Sequence, residues 1–432
     1  MSARALPRLG MGTAGIGNLY APVSDETARA TVAEAWAAGI RYFDTAPHYG
    51  FGLAERRLGE ALTALDTDRQ AIVSTKVGRL LAPTENGARE RHGFVEADPF
   101  EPVFDYGRDA VLRSHEESLR RLRRERVDIL LAHDLGVLTH GAGSQRHMRV
   151  FLDSGYGAMR ELKAAGAIDA IGIGVNEVEV CLFLLERVEL DVILLAGRYT
   201  LLDRRAGDEL LPLCEERGVR VIVGGPYNSG ILAQPTASQR DPRYDYEPPP
   251  ATVLARAAAI ERVCDRHRVE LGAAALQFPL RHPAVASVIP GLVGPEQVRQ
   301  AANRLGAPVP EVLWAELADL RDDAIGLRND MTDPKLILLD EGDNVLVCIA
   351  PIAQGDRLAI DDAVLHASTA VGVGHKIARR TLRAGDKVFK YGAAIGSATR
   401  DIAAGEWVHA HNMQSDYIPT HDRKTVAQGQ TR

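Results

Sequence analysis

The sequence predicts a parallel (β/α)8 TIM barrel followed by a small all-β domain. Up to about residue 325, short apolar runs alternate with helical patterns, and strand–helix alternation of this kind builds a parallel sheet. The runs number eight once an opening strand is counted, which points to a closed barrel. Past residue 335 the helical patterns stop and glycines recur at turn-like intervals. A doubly wound open sheet is the competing architecture.

The opening strand is read at residues 9–13, and the next six at 41–45, 71–76, 127–133, 168–174, 191–196 and 218–224. The last is read at 285–290. All are nearly continuous in apolar residues, as parallel strands buried on both faces are. Helices are read at 25–38, 108–124, 156–165, 178–187, 206–217, 252–267 and 295–304. Ser24 is the expected N-cap of the first, with Asp25 and Glu26 at the positive end of its dipole and Gly39 as its stop. Two long segments, 78–107 and 226–250, are rich in Gly and Pro and follow strands. In a barrel they lie at the C-terminal rim, where lids are built. Gly10, Gly12 and Gly15 match G-x-G-x-x-G. A dinucleotide fingerprint must open a helix, yet Gly17 and Pro22 intervene before Ser24, so the glycines read as a tight loop at the barrel mouth.

The chain of 432 residues carries a net charge of −7, which argues against nucleic acid or an anionic membrane as partner. No apolar run approaches the ~20 residues of a membrane span. The four cysteines form no C-x-x-C pair and read as reduced, buried thiols of a cytoplasmic protein.

Four polar residues mark strand ends. Asp44 closes the second strand, Tyr49 follows in the next loop, Lys76 closes the third and His133 the fourth. Burying a lysine is costly without a partner, and Asp44 would be that partner. A tyrosine with its ordinary pKa near ~10 is a poor base at neutral pH, and a neighbouring ammonium favours its phenolate. Such a group can exchange a hydroxyl proton during hydride transfer, with the imidazole polarising the substrate oxygen. Spacing alone also fits a buried ion pair with two packed aromatic rings.

Residues 1–325 resemble the aldo-keto reductase superfamily, in the branch of L-fucose, D-arabinose and D-threo-aldose 1-dehydrogenases. The resemblance rests on FDTAPHYG (43–50), STKVGRLL (74–81), DILLAHD (128–134), AIGIGVNE (170–177), LLAGRYTLLD (194–203), GGPYNSGILA (224–233) and LQFPLRHPAVASVIPG (276–291). It implies a tetrad of Asp44, Tyr49 as acid/base, Lys76 and His133. It also implies NAD or NADP bound in extended form across the barrel mouth. Asn176 would lie near the carboxamide, Tyr227, Asn228, Ser229 and Gly230 along the pyrophosphate, and Gly291 to Gln297 near the adenosine phosphate. The family's Gln near Ala196 and its stacking Tyr near Gly224 are absent. Gln297 replaces an arginine that receives a 2′-phosphate, with Arg299 and Arg304 nearby, which tilts the expectation to NAD. The branch oxidises the anomeric carbon of an aldose to a lactone; pyridoxal-oxidising relatives share much of the pattern. His48, His92, His115 and His140 receive no role and read as surface or loop residues.

Residues 326–335 read as a linker and 414–432 as a disordered polar tail. Residues 336–413 resemble the SAF-type small-subunit module (a β-clip fold) of altronate, galactarate and sulfolactate dehydratases, through DNVLVCIAPIAQGD (343–356), GHKIA (374–378) and FKYGAAIGSATRDIAAGEWVHAHN (389–412). The large subunit that carries most of that family's hydro-lyase site is missing. His409 and His411 are expected on one face of a strand, with His375 and Lys376 in a Gly-bounded loop. That set suits a carboxylate, or a metal shared with another chain, and equally an exposed polar strand end. No metal site is assigned, and a divalent metal is expected only if this domain acts with a partner. The module would recruit or complete a dehydratase large subunit in trans. Alternatives are a bifunctional enzyme with its own lyase activity and a non-enzymatic scaffold.

Overall fold

The computed structural model describes residues 4–320 and 335–414, apart from positions 86, 87, 240, 246, 341, 362 and 391. The chain divides into two compact units, Met1–Arg321 and Asp322–Arg432. The linker read at 326–335 falls outside the described residues except for Lys335, as does the tail beyond Gln414.

In the first unit, eight parallel strands neighbour one another in chain order: β1 (Met11–Gly12), β2 (Tyr42–Asp44), β3 (Ile72–Val77), β4 (Ile129–His133), β5 (Ala170–Val175), β6 (Val192–Ala196), β7 (Arg220–Gly224) and β8 (Val285–Ile289). Parallel bridges Leu9–Val288 and Gly12–Gly291 join the first strand to the last and close the cylinder. Side chains alternate along each strand, so two cores form. Tyr42, Ile72, Ile129, Leu131, Val192, Leu194, Ile222 and Ile289 fill the interior. Their neighbours Phe43, Val73, Leu130, Ala132 and Ile193 join the layer beneath the helices.

The helices include α1 (Asp25–Ala37), α2 (Leu53–Leu65), α3 (Arg108–Leu122), α4 (Tyr156–Ala164), α5 (Val178–Leu185), α6 (Leu210–Arg217), α7 (Ala251–Arg266), α8 (Leu271–Gln277), α9 (Pro295–Gly306) and α10 (Glu311–Asp319). Ser24 caps α1, its hydroxyl accepting from the Thr27 amide at 3.1 Å. The sequence reading omits α2, because that helix starts after Gly52 at φ +102° with no side-chain cap. It also starts the helix at 206 too early: Arg205–Gly207 is a single 3-10 turn before α6. The segment read as a plain loop at 78–107 holds two antiparallel ribbons, Arg79–Pro83 with Phe100–Phe104 and Glu90–Arg91 with Phe94–Val95. The glycine-rich start forms a short 3-10 turn, Gly15–Gly17, not a helix facing a pyrophosphate. Gly10 serves packing there: a Cβ would stand 2.6 Å from the Tyr42 ring.

The second unit is all-β among the described residues. Strands Leu336–Ile337, Val345–Cys348, Lys376–Ala378 and Trp407–Val408 form one antiparallel sheet. Smaller ribbons pair Arg357–Ile360 with Ala363–His366, and Lys387–Lys390 with Ala393–Ala398. Gln414, read as the start of the tail, pairs with Ser397 and belongs to the domain. Two apolar clusters, one around Ile377 and one around Val388, form its core. Cys181, Cys214, Cys264 and Cys348 are all free and buried. No helix among the described residues is long and apolar enough to cross a membrane.

Candidate active site

Strand parity aims the polar side chains. Tyr42 points inward on β2, so Asp44, two residues on, does too; Ile72 does the same for Ser74 and Lys76 on β3, and Ile129 and Leu131 for His133 on β4. Each polar residue lies toward the C-terminal end of its strand, so the three strands present them at one rim. Gly174, inward on β5, makes room: a Cβ there would stand 3.2 Å from Lys76 Cε.

Lys76 and Asp44 are almost wholly buried, and Nζ donates to Asp44 Oδ2 at 2.7 Å. The same ammonium donates to the Thr45 carbonyl at 2.8 Å and to the Tyr49 hydroxyl at 3.2 Å. Ser74 donates to the other Asp44 oxygen at 2.7 Å. Burial pushes the Asp44 carboxyl up from its ordinary value, while the Lys76 charge and its hydrogen bond, and that from Ser74, pull it down. Tyr49 reaches this group from the loop after β2. That loop is fixed by a close backbone crossing: at Gly50, φ +64°, a Cβ would stand 2.3 Å from the Gly17 carbonyl oxygen. The Tyr49 and His133 rings stand edge to face, 6.0 Å apart.

His133 is buried, and its pKa is held well below the ordinary imidazole value, first by burial and then by the charges of Arg79 and Lys76. It is therefore neutral near pH 7, and the 3.4 Å approach of its Nε2 to Asp134 Oδ2 is not an ion pair. Its Nδ1 is buried without a hydrogen-bond partner. Arg79 pairs instead with Asp134. Tyr106 donates to the carbonyls of His133 and Asp134 at 2.6 and 2.8 Å, bracing the end of β4.

The wall beside Tyr49 contains residues that the sequence reading left without a role. His48 lies 6.1 Å from His133, ring centre to ring centre, and 5.4 Å from Phe94; His92 lies 5.8 Å from His48. Burial, and after it the Arg79 charge, keeps His48 neutral as well. His48 directly precedes Tyr49, and that adjacency was the available signal. Asp134 directly follows His133 and Arg79 lies three residues past Lys76, so both carried a similar signal, whereas Phe94 had none, since its position depends on how the ribbon folds back. The backbone ties that ribbon down: Tyr20 N donates to Gly93 O at 2.9 Å and Val95 N to Asn18 O at 3.0 Å. His115 is buried in α3. His140 touches the Tyr106 hydroxyl at 2.9 Å, behind His133.

The neutral imidazoles have a measurable consequence. Below the ordinary histidine value of ~6.5, the unfolded chain takes up protons that native His48 and His133 refuse, so stability falls as pH falls. Asp44 and Asp134, raised by burial, act in the opposite sense as they take up protons. Urea unfolding of the barrel is expected to show a loss of ~1.5 kcal/mol from these two histidines between about pH 7.5 and 6. A flat or rising profile would contradict their neutrality.

The residues expected around a dinucleotide follow β5, β7 and β8 on the same rim. Asn176 donates from Nδ2 to Ala196 O at 3.3 Å. Asn228 donates to Gly197 O at 3.2 Å, while its Oδ1 is buried without a partner. Asn228, Ser229 and Gly230 all have positive φ, in a tight turn after Tyr227. Gly230 and Gly291 meet nothing within 4 Å where a Cβ would stand. Uncovered backbone beside a buried, unused acceptor fits an extended polar ligand. Gln297 is exposed, and its carbonyl accepts from Val293 N at 2.9 Å at the head of α9. Arg299 pairs with Glu34 at 3.2 Å and Glu296 at 3.0 Å, and Arg304 with Glu270 at 2.5 Å.

In the second unit, His375, His409 and His411 gather around Trp407. The indole stacks on His409 at 5.2 Å and 6°, and stands 5.3 Å from His375 and 5.2 Å from His411. The expected strand carrying both late histidines is absent. The strand ends at Val408, and His409 and His411 lie in a turn closed by Asn412, whose Oδ1 accepts from His409 N at 2.9 Å. Lys376 pairs in register with Val408, whereas Trp407 pairs with Ile377. Partial desolvation lowers the His409 pKa, and the Lys376 charge is near enough to lower it further. Among the described residues no cluster of three or more His, Cys, Asp or Glu could hold a metal ion.

Comparison with known proteins agrees with this architecture. The Aldo/keto reductase family matches residues 8–322, and the altronate/galactarate dehydratase SAF domain matches residues 334–416. A pyridoxal 4-dehydrogenase of Microbacterium luteolum is 41% identical over 321 residues, covering 72% of this chain and 92% of that protein. A D-threo-aldose 1-dehydrogenase of Pseudomonas is 39% identical over 322 residues, covering 73% and 94%. The holo form of an aldo-keto reductase from Bacillus halodurans superposes with a TM-score of 0.57 at 27% identity, covering 73% of this chain and 92% of that one. For the second unit, Escherichia coli altronate dehydratase is 42% identical over 74 residues, which is 17% of this chain and only 15% of that enzyme. By its barrel, its rim and these matches, the chain belongs to the aldo/keto reductase family and carries a C-terminal SAF domain of the altronate/galactarate dehydratase type.

Proposed function

We propose that the barrel is an NAD-dependent dehydrogenase that oxidises the anomeric carbon of an aldose to the lactone. The observation behind this reading is the Lys76 ammonium held between Asp44 at 2.7 Å and the Tyr49 hydroxyl at 3.2 Å. A positive charge so close favours phenolate over phenol, and Asp44 keeps that charge in place. Tyr49 takes the proton of the C1 hydroxyl. His133, neutral, hydrogen-bonds to the same oxygen without adding a second cation beside Lys76. A bound nicotinamide supplies the hydride acceptor for the hydrogen leaving C1. Asn176, Tyr227, Asn228, Ser229, Gly230 and Gly291 would hold the dinucleotide, with Gln297 shaping the loop near its adenosine end. Arg299 and Arg304 already face carboxylates, so a 2′-phosphate would compete for them; this favours NAD over NADP.

A second reading, oxidation of pyridoxal, draws on the 41% identity to the Microbacterium enzyme. The imidazole of His48, next to Tyr49 in the chain and 6.1 Å from His133, suits a hydroxyl-rich substrate better. Purified protein supplied with L-fucose, D-arabinose, L-galactose or pyridoxal, and NAD⁺ or NADP⁺, is expected to reduce NAD⁺ fastest with an aldose. Faster turnover of pyridoxal than of every aldose would replace the first reading with the second.

A further inference from the structure

Asp134 breaks the alternation of the strand it follows. Neighbouring residues of a strand point to opposite faces, so the residue after inward-facing His133 is due to face the helices. The Asp134 backbone instead takes φ +45°, in the left-handed region that aspartate tolerates better than most residues. The carboxylate thereby returns to the imidazole, with Oδ2 at 3.4 Å from His133 Nε2. This turn is held from three sides. The Asp134 amide donates to Gly174 O at 3.0 Å. Its carbonyl accepts from the Tyr106 hydroxyl at 2.8 Å, and His140 Nε2 stands 2.8 Å from the same oxygen. Backbone strain that the surroundings over-determine in this way is concentrated at functional sites.

The carboxylate is anchored at one oxygen and open at the other. Arg79, itself buried, binds Oδ2, while the Asp134 side chain stays 18% exposed at the rim. Among the described residues Oδ1 accepts no hydrogen bond. A carboxylate only accepts, and it takes a hydroxyl donor more strongly than a neutral group does. Two hydroxyl oxygens on neighbouring carbons stand roughly one hydrogen-bond length apart. With one of them on His133 Nε2, the other comes within reach of the carboxylate beside that nitrogen. We infer that Asp134 is a specificity-determining residue that receives the hydroxyl on the carbon next to the reacting one, the C2 hydroxyl of an aldose. This rests on the proposed function for the place of the reacting oxygen at His133. Arg79 is the positioning residue that keeps Asp134 ionised and turned toward the site.

The experiment uses the full chain and compares kcat/KM within pairs of substrates that differ by one hydroxyl. With NAD⁺ the pairs are each aldose of the panel and its 2-deoxy analogue; in reverse, with NADH, the pair is lactaldehyde and propanal. The original protein is expected to favour the hydroxylated member by about 100-fold or more, as a site built to receive a hydroxyl does. Asp134→Gly adopts a positive φ without strain and is expected to bring the ratio close to one. Asp134→Asn keeps the shape without the charge and is expected to weaken the preference by about tenfold. Damage to the fold lowers both members of a pair alike, so the ratio reports on the hydroxyl. No preference in the original protein, an unchanged ratio in the variants, or turnover in neither direction would each overturn the inference. A lactaldehyde preference that the variants lose, in a protein that oxidises no aldose, would sink the proposed function and leave Asp134 its role. Aldose oxidation with an unchanged ratio in the variants would do the reverse.

Discussion

Tyr49→Phe is expected to lower kcat for aldose oxidation by about 10²–10⁴-fold, the range for losing a positioned acid or base. The variant keeps the ring that packs against His133 and Phe94 and loses only the hydroxyl beside Lys76. Melting temperature and affinity for NAD⁺ are therefore expected to stay close to those of the original protein. A loss in kcat with unchanged cofactor binding places the defect in proton transfer. Near-normal turnover would remove Tyr49 from the mechanism and the proposed chemistry with it.

Lys76→Met is expected to damage stability and activity together. Removing one partner of a buried pair leaves the other without compensation, at a typical cost of 3–5 kcal/mol. Asp44 retains only the Ser74 hydroxyl as a side-chain donor, and its carboxyl, already raised by burial, moves further up. Asp44→Asn combined with Lys76→Met takes away both charges and is expected to recover a substantial part of the lost stability. It is expected to recover no turnover, because the cation beside Tyr49 stays absent. Urea unfolding and initial rates on both variants separate the two effects. Recovery of activity in the double variant would show that Lys76 only neutralises Asp44.

Much of this site is legible before any coordinates, because strand parity is a local rule. Asp44, Lys76 and His133 sit at even spacings from interior apolar residues of their own strands, so facing one another follows once the barrel closes. Tyr49 is legible as a polar residue of the loop after β2, but its approach to Lys76 is not, since that depends on Gly50 and Gly17 meeting across two loops. The Arg79–Asp134 pair is not legible as a pair, although its members stand just after Lys76 and His133, and Phe94 is not legible at all, because a ribbon folding back brings it in and no local periodicity announces it. α2 goes unseen because a glycine begins it where a hydrogen-bonding cap is sought. In the SAF domain, a period-two reading of His409 and His411 assumes a longer strand than exists, as Asn412 turns the chain first.

The free cysteines have a use of their own. Burial raises the thiols of Cys214 and Cys264 to about 12 and that of Cys348 to about 11, so the native protein offers almost no thiolate at neutral pH. Alkylating reagents thus modify these sulfurs only through transient openings. Since Cys348 lies in one unit and the other three in its neighbour, the order in which peptides become labelled reads out which half of the chain breathes first, with no added probe.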